Sequence, residues 1–389
     1  MEYRKIGKTG MSASIIGLGA EHLDNKPYKV VEETIHAALA QGINMMDVFM
    51  PGDEVRQYIG KALGNRRKDV IIQGHIGSVD LREQYDISRD LKVCKHYFEK
   101  LLQHLGTDYV DVGMLFFMDT EEAIQQADAN GIMDYILTLK EKGIIRAIGM
   151  SSHQPSIARK VLEIGIFDLM MFSINPAFDM TAPDNDVLNT FDDEHFANQQ
   201  FVSIDPIRAE LYKYCEQKGI AITVMKTLGG GRLLSATQSP YQKAMTVAQC
   251  IHYALTRPGV VSALIGCQTP EQVTEAVGYL NVNAEQRDFM DIISAYQGEL
   301  SGKCVYCNHC QPCPENIDIA LVHKYLDVAT LDLQNIPPSI MSHYHALLKS
   351  GADCIACGNC EEKCPFSVPI IRNMEQAEHL FNPKQHINH

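Results

Sequence analysis

Eight of the chain's 12 cysteines fall in two short runs. Cys304, Cys307, Cys310 and Cys313 follow one another at a strict three-residue step, and Pro314 closes the run. Cys354, Cys357, Cys360 and Cys364 repeat the pattern with a longer final gap, closed by Pro365. Disulfides, zinc and iron–sulfur are the chemistries that such thiols support. Disulfides suit neither a large chain of a reducing compartment nor cysteines three apart, which cannot all pair locally. Structural zinc usually takes two well-separated pairs of ligands. The spacing C-x2-C-x2-C-x3-C-P of the second run is that of [4Fe–4S] ligation. The runs are therefore read as two [4Fe–4S] sites, with zinc as the alternative.

Three cysteines on a tight loop can reach three corners of one cubane while the chain carries the fourth away. In two-cluster ferredoxins that fourth cysteine ligates the other cluster. The expected sets are Cys304, Cys307, Cys310 and Cys364 for one cluster, and Cys354, Cys357, Cys360 and Cys313 for its neighbour. Between the runs, "IDIALVHKYLDVATLDL" and "SIMSHYHALLKSG" have helix-like apolar spacing, interrupted by "NIPPS". Residues 283–389 thus read as an α-helical ferredoxin-like domain. Cys94, Cys215, Cys250 and Cys267 stand alone and are read as buried structural thiols.

The rest of the chain must position whatever these groups act with. Its 389 residues exceed one average domain, so two are expected. A hydrophobic content of 46% with 21% charged residues is that of an ordinary globular protein with a large core. A net charge of −14 argues against nucleic acid or anionic lipid as the main partner. No stretch approaches the roughly 18 apolar residues of a membrane span. The opening "MEYRKIGKTG" lacks the apolar run of a secretory signal, so a cytoplasmic location is expected.

One phrase recurs before the cysteine runs: a helical-period segment, a glycine, then a short apolar strand. "VVEETIHAALAQGINMMD", "MDYILTLKEKGIIRAIGMS", "SIARKVLEIGIFDLMMF" and "ELYKYCEQKGIAITVMK" are four examples. Gly42, Gly143, Gly165 and Gly219 stand where a helix C-terminus favours a left-handed residue. Adding "SIIGLG", "DVIIQGH", "YVDVGMLF" and "VVSALIG" gives about eight strands alternating with helices, which suits an α/β fold of the (β/α)8 TIM barrel type over residues 1–282. A doubly wound sheet is the alternative, but no G-x-G-x-x-G opens a helix after the first strand.

"YRKIGKTGMSASIIGLG", "GINMMD", "IGKAL", "LGTDYVDV", "KGIIRAIGMSSH" and "TPEQVTEAV" follow one another in order. Together they resemble the aldo-keto reductase family over roughly residues 1–280, most closely the branch that carries a C-terminal ferredoxin-type module. The resemblance implies an N-terminal hairpin, a (β/α)8 barrel and a site at the C-terminal rim of its strands. It also implies an Asp-Tyr-Lys-His set that protonates a carbonyl while nicotinamide delivers hydride. Asp47 matches the Asp, but Gly52, His75 and Phe116 stand where Tyr, Lys and His belong. The nicotinamide contacts change too: Ser151-Ser152 replaces Ser-Asn, and Met171, Met225 and Gln268 replace the glutamine, the stacking tyrosine and a basic residue. "LGGGR" retains a glycine-rich loop that tolerates anions. Ser151, Ser152, Asn175, Gly229, Gly230 and Gly231 are the remaining candidates for cofactor binding, and weak NAD(P)H binding is expected.

Strand ends should present Glu21, His22, Asp47, His75, His153, Asn175 and Lys226 around one mouth. Of these, Asp47, His75, His153, Lys226 and His22 are the catalytic candidates. A carboxylate that orients an imidazole equips it to exchange protons near neutral pH, and Asp47 with His75 is the sharpest such pair. The same residue types could alternatively hold a divalent metal. The Asp-rich stretch 179–205 is too long for a routine connection and reads as a lid over the mouth or a solvated loop.

These features predict an iron–sulfur oxidoreductase. Its barrel holds a small polar substrate with a carbonyl or hydroxyl group, and its two [4Fe–4S] clusters exchange electrons with a ferredoxin or flavoprotein. An NAD(P)H-dependent carbonyl reductase with a divergent site is the first alternative. A redox-neutral lyase or isomerase with structural clusters is the second, and a non-catalytic electron-transfer partner is the third.

Overall fold

The computed structural model describes every residue except 81–84, 181–203, 294–301, 303, 305, 308, 331–332, 335, 337 and 383–389. Most of the stretch read as a lid, 181–203, lies outside the described residues.

Strands β1 (Tyr3–Lys5) and β2 (Ser12–Ser14) form an antiparallel hairpin. Eight parallel strands follow: β3 (Ile16–Gly19), β4 (Met45–Val48), β5 (Ile71–Ile76), β8 (Val110–Leu115), β9 (Ile145–Ser152), β10 (Leu169–Ser173), β11 (Ala221–Met225) and β12 (Val260–Ile265). They close in the order β10-β11-β12-β3-β4-β5-β8-β9, with β9 paired back to β10. A second hairpin, β6 (Ser78–Asp80) with β7 (Tyr85–Ile87), springs from the end of β5. The helix–glycine–strand phrase thus builds the barrel. Gly42, Gly143, Gly165 and Gly219 each take the positive φ that a helix end needs, at 84°, 70°, 86° and 69°.

Side chains on a strand alternate between faces, so every second residue enters the barrel. Met45, Ile71, Val112, Ala147, Leu169 and Ala221 belong to one buried apolar cluster, and Ile6, Met11 and Ala13 of the N-terminal hairpin join it. That hairpin covers the end of the barrel at which the strands begin. Two residues further along the same faces come Asp47, Gln73 and Thr223, and then His75 and Ser151. The interior therefore changes from apolar at the floor to polar at the C-terminal rim.

The chain divides into two compact units. The first, Met1–Ile174 with Ile220–Thr227 and Val260–Leu280, holds all eight barrel strands. The second, Asn175–Gly219 with Leu228–Gly259 and Asn281–His389, has no strand among its described residues. Its C-terminal helices are Ile319–Ala329, Pro338–His345, Asn359–Lys363 and Ile370–Phe381. Asp318 caps the first of these by accepting from Leu321 N at 3.0 Å. Tyr344 stacks on Phe381 with ring centroids 4.2 Å apart, which joins the second helix to the last.

Asp179 organises another part of this second unit. Its carboxylate is wholly buried and accepts from Arg208 Nε at 2.9 Å, Tyr212 Oη at 2.6 Å and Tyr253 Oη at 2.9 Å. Three donors satisfy one buried charge, while the Arg208 guanidinium balances it. Removing one partner of a buried ion pair typically costs about 3–5 kcal/mol because the other charge is left uncompensated. Asp179→Ala is therefore expected to lower unfolding free energy by about that amount in urea denaturation. A midpoint close to that of the wild type would show that the network contributes little to stability.

Candidate active site

The side chains of β4 and β5 meet inside the rim. His75 Nε2 stands 2.8 Å from Asp47 Oδ1, and Gln73 Nε2 donates to the same oxygen at 2.9 Å. The register explains the meeting: Asp47 is paired with Gln73, and His75 lies two residues beyond on the same face. The His75 side chain is fully buried, with Phe49 and Phe116 edge-on at ring separations of 6.1 and 5.3 Å. Phe116, at the position of the expected histidine, thus forms part of an apolar wall.

His75 Nδ1 and Gln73 Oε1 are buried without a hydrogen-bond partner among the described residues. Leaving such an atom unsatisfied costs about 1–3 kcal/mol, so both are poised to receive a polar ligand atom. With Nε2–H donating to Asp47, a neutral ring presents Nδ1 as an acceptor. A protonated ring presents Nδ1–H as a donor. One imidazole can therefore take or give a proton at a substrate oxygen, and Asp47 fixes the orientation of the ring.

A second pair stands at the ends of β8 and β9. Asp119 Oδ2 lies 2.8 Å from His153 Nδ1, while its Oδ1 accepts from His153 N at 2.6 Å and Ser152 Oγ at 2.7 Å. Burial works against ionisation of Asp119, yet the hydrogen bonds and charge of His153, with that of Ser152, outweigh it and hold the carboxyl below its usual range. The Ser151 hydroxyl accepts from Phe117 N at 2.8 Å. Both serine hydroxyls at the nicotinamide position are thus engaged within the protein.

The other candidates are more scattered. His22 packs against the end of β12, where a Cβ on Gly266 would meet His22 Cδ2 at 2.1 Å, so only glycine leaves room for the ring. Lys226 follows β11 with φ of 59°, a strained conformation for a residue with a side chain. Asn175 begins the second unit, where its Oδ1 caps the Pro176–Asp179 turn by accepting from Phe178 N at 2.9 Å. Gly229, Gly230 and Gly231 take φ of 58°, 66° and 88°, conformations that glycine adopts without strain.

Three residues of this region were not singled out from the sequence. Gln73 was legible, because it lies two residues before His75 on the same strand face. Asp119 follows β8 in "FFMD" much as Asp47 ends "MMD", a parallel that strand-end position could have exposed. Tyr85 gives no periodic signal, since it depends on the β6–β7 hairpin.

The eight cysteines of the two runs all lie in the second unit. Burial raises the Cys310 thiol, and neighbouring Cys307, Cys364 and Cys360 raise it further. Burial likewise raises Cys304, which Cys307 and Cys310 also influence, while Cys307 is influenced by Cys364. Cys313, Cys354, Cys357 and Cys360 line one small pocket together with Ile355 and Met374. Among the described residues, no three His, Cys, Asp or Glu side chains are arranged to hold a single metal ion. Thiolate donors at this sequence spacing are the chemistry that iron–sulfur ligation uses.

The structure is an eight-stranded parallel barrel with polar side chains gathered at the C-terminal rim of its strands. The Aldo/keto reductase family profile matches residues 15–249, and the chain belongs to that family. It is 30% identical over 179 residues to the uncharacterized oxidoreductase YqkF of Bacillus subtilis (44% of this chain, 56% of that protein). It is 26% identical over 306 residues to L-galactose dehydrogenase of Arabidopsis thaliana (71% and 87%) and 24% identical over 320 residues to the NADH-specific methylglyoxal reductase of Escherichia coli (73% and 94%). In fold it is similar to aldo-keto reductase AKR11C1 from Bacillus halodurans, with a TM-score of 0.59 at 19% identity over 76% of this chain and 96% of that one.

Proposed function

We propose that this protein is an iron–sulfur oxidoreductase acting on a carbonyl or hydroxyl group of a small polar substrate. The observation that supports the proposal is the spacing of eight cysteines in two runs of four, each closed by proline, as [4Fe–4S] ligation requires. Cys304, Cys307, Cys310 and Cys364 would hold one cluster; Cys354, Cys357, Cys360 and Cys313 would hold the other. When bound, such clusters supply or accept single electrons at low potential. The partner is accordingly an electron carrier, a ferredoxin or flavoprotein. We assign the substrate-binding barrel to residues 1–282, of which 175–219 and 228–259 belong to the second compact unit, and the ferredoxin-like domain to 283–389, with a cytoplasmic location. No helix among the described residues is long and apolar enough to cross a membrane. In the barrel, His75 exchanges a proton with the substrate oxygen through Nδ1, and Asp47 orients the ring.

The second reading is NAD(P)H-dependent carbonyl reduction. It is favoured by the printed name of the Escherichia coli relative and by the left-handed run at Gly229–Gly231. Against it stand the two engaged serine hydroxyls and Met171, whose sulfur accepts from Gln73 Nε2 at 3.4 Å.

Anaerobic titration separates the two. Protein reduced with dithionite should lose its reduced-cluster spectrum when a member of a panel of small aldehydes and ketones is added. NADPH should bind weakly, because each lost hydrogen bond removes about 0.5–1.5 kcal/mol. A low-micromolar dissociation constant by calorimetry, with no reoxidation by any panel member, would overturn the proposal in favour of the second reading.

A further inference from the structure

The position where the family carries its tyrosine is Gly52, and an ideal Cβ there would lie 3.2 Å from Asp24 Oδ1. That position supplies no phenol. Tyr58, one turn into the following helix, is turned to other work: its hydroxyl donates to Glu54 Oε1 at 2.6 Å and its ring packs edge-on against Tyr28. The barrel mouth nevertheless has a phenol from a different source. Tyr85 opens β7 of the hairpin that follows β5, opposite Asp80.

The ring of Tyr85 stands edge-on to Phe49 at 5.6 Å and 85°, and to Phe116 at 6.3 Å and 84°. Those two rings are stacked on each other at 5.6 Å, and they are the rings that flank His75. Phe49 follows β4, Phe116 follows β8, and Glu21, whose charge also reaches Tyr85, follows β3. Tyr85 thus meets rings that follow the two strands flanking β5, which places it at the C-terminal rim beside the end of the strand that carries His75. The Tyr85 hydroxyl has no hydrogen-bond partner among the described residues, and the residue remains 44% exposed. Burial of the ring, assisted by Glu21, raises the phenol further above its ordinary value and keeps it a donor.

We infer that Tyr85 donates the hydrogen bond to the substrate's carbonyl oxygen that position 52 does not supply, with Phe49 and Phe116 lying against the substrate's planar apolar face. The inference rests on the carbonyl reading above and requires neither electrons nor clusters. Hydrogen bonding and apolar contact divide between the polar and apolar parts of the ligand, as in most small-molecule sites.

The test uses the oxidised full-length protein and 4-nitrobenzaldehyde labelled with carbon-13 at the carbonyl, read by isotope-edited infrared difference spectroscopy. The bound carbonyl band should move to lower wavenumber in the wild type, and Tyr85→Phe should abolish most of that shift and weaken binding about tenfold, the effect of one lost hydrogen bond. Phenylalanine keeps the ring packing, so the variant isolates the hydroxyl. Tyr58→Phe should leave the band where it is. A shift retained in Tyr85→Phe would overturn this inference alone. No shifted band in the wild type would overturn it together with the carbonyl reading.

Discussion

Replacing His75 with alanine should lower turnover at least about a hundredfold, since general acid–base groups contribute about 10²–10⁴-fold. The substrate oxygen must exchange a proton, and neither Gly52 nor Phe116 can supply one. His75 is the imidazole whose Nε2 is held by Asp47 at 2.8 Å while its buried Nδ1 has no partner among the described residues. The variant should keep its full complement of iron, because His75 lies in the barrel unit and the cysteines of the two runs lie in the other. Asp47→Asn should cost less, as it removes the orienting carboxylate but leaves the imidazole. Turnover would be measured with the carbonyl that reoxidises the dithionite-reduced protein. Near-full activity in His75→Ala would move the role to the Asp119–His153 pair, which stands at the same rim with comparable geometry.

Anaerobically purified protein should carry about eight iron and eight sulfide per chain, four of each for either cubane, and little zinc. The second effect is nearly all-or-none. Cys364→Ser should remove iron from the site built by Cys304, Cys307 and Cys310, although it lies in the other run, because Cys364 influences both Cys307 and Cys310. Cys354→Ser should instead affect the group that lines the pocket with Cys313, Cys357 and Cys360. Iron and acid-labile sulfide assays, with electron paramagnetic resonance of the reduced protein, would distinguish the two losses. Stoichiometric zinc without labile sulfide would end the iron–sulfur reading.

Much of this architecture is written in local signals. The helix–glycine–strand repeat determines four of the eight strands, because a glycine that accepts positive φ ends the helix before each at a definite place, and apolar runs mark the other four. The cysteine spacing determines which residues can form a thiol-rich site, since short loops constrain their own neighbours. Asp47 and His75 were legible as a pair, because adjacent parallel strands bring their ends together whatever the side chains.

The tertiary structure decided what sequence distance hides. Gln73 completes the carboxylate's hydrogen bonds only because register and inward alternation coincide. Asp119 reaches His153 across 34 positions, and both serine hydroxyls are engaged by groups from the neighbouring strand end. Tyr85 comes over the mouth on a hairpin whose ring contacts belong to Phe49 and Phe116, 36 positions before it and 31 after it in the chain. Local propensity reports the φ and ψ preferences and the face of each segment. Which side chains meet across a closed barrel depends on its register and on the loops that leave its rim, and those are set by packing the whole chain at once.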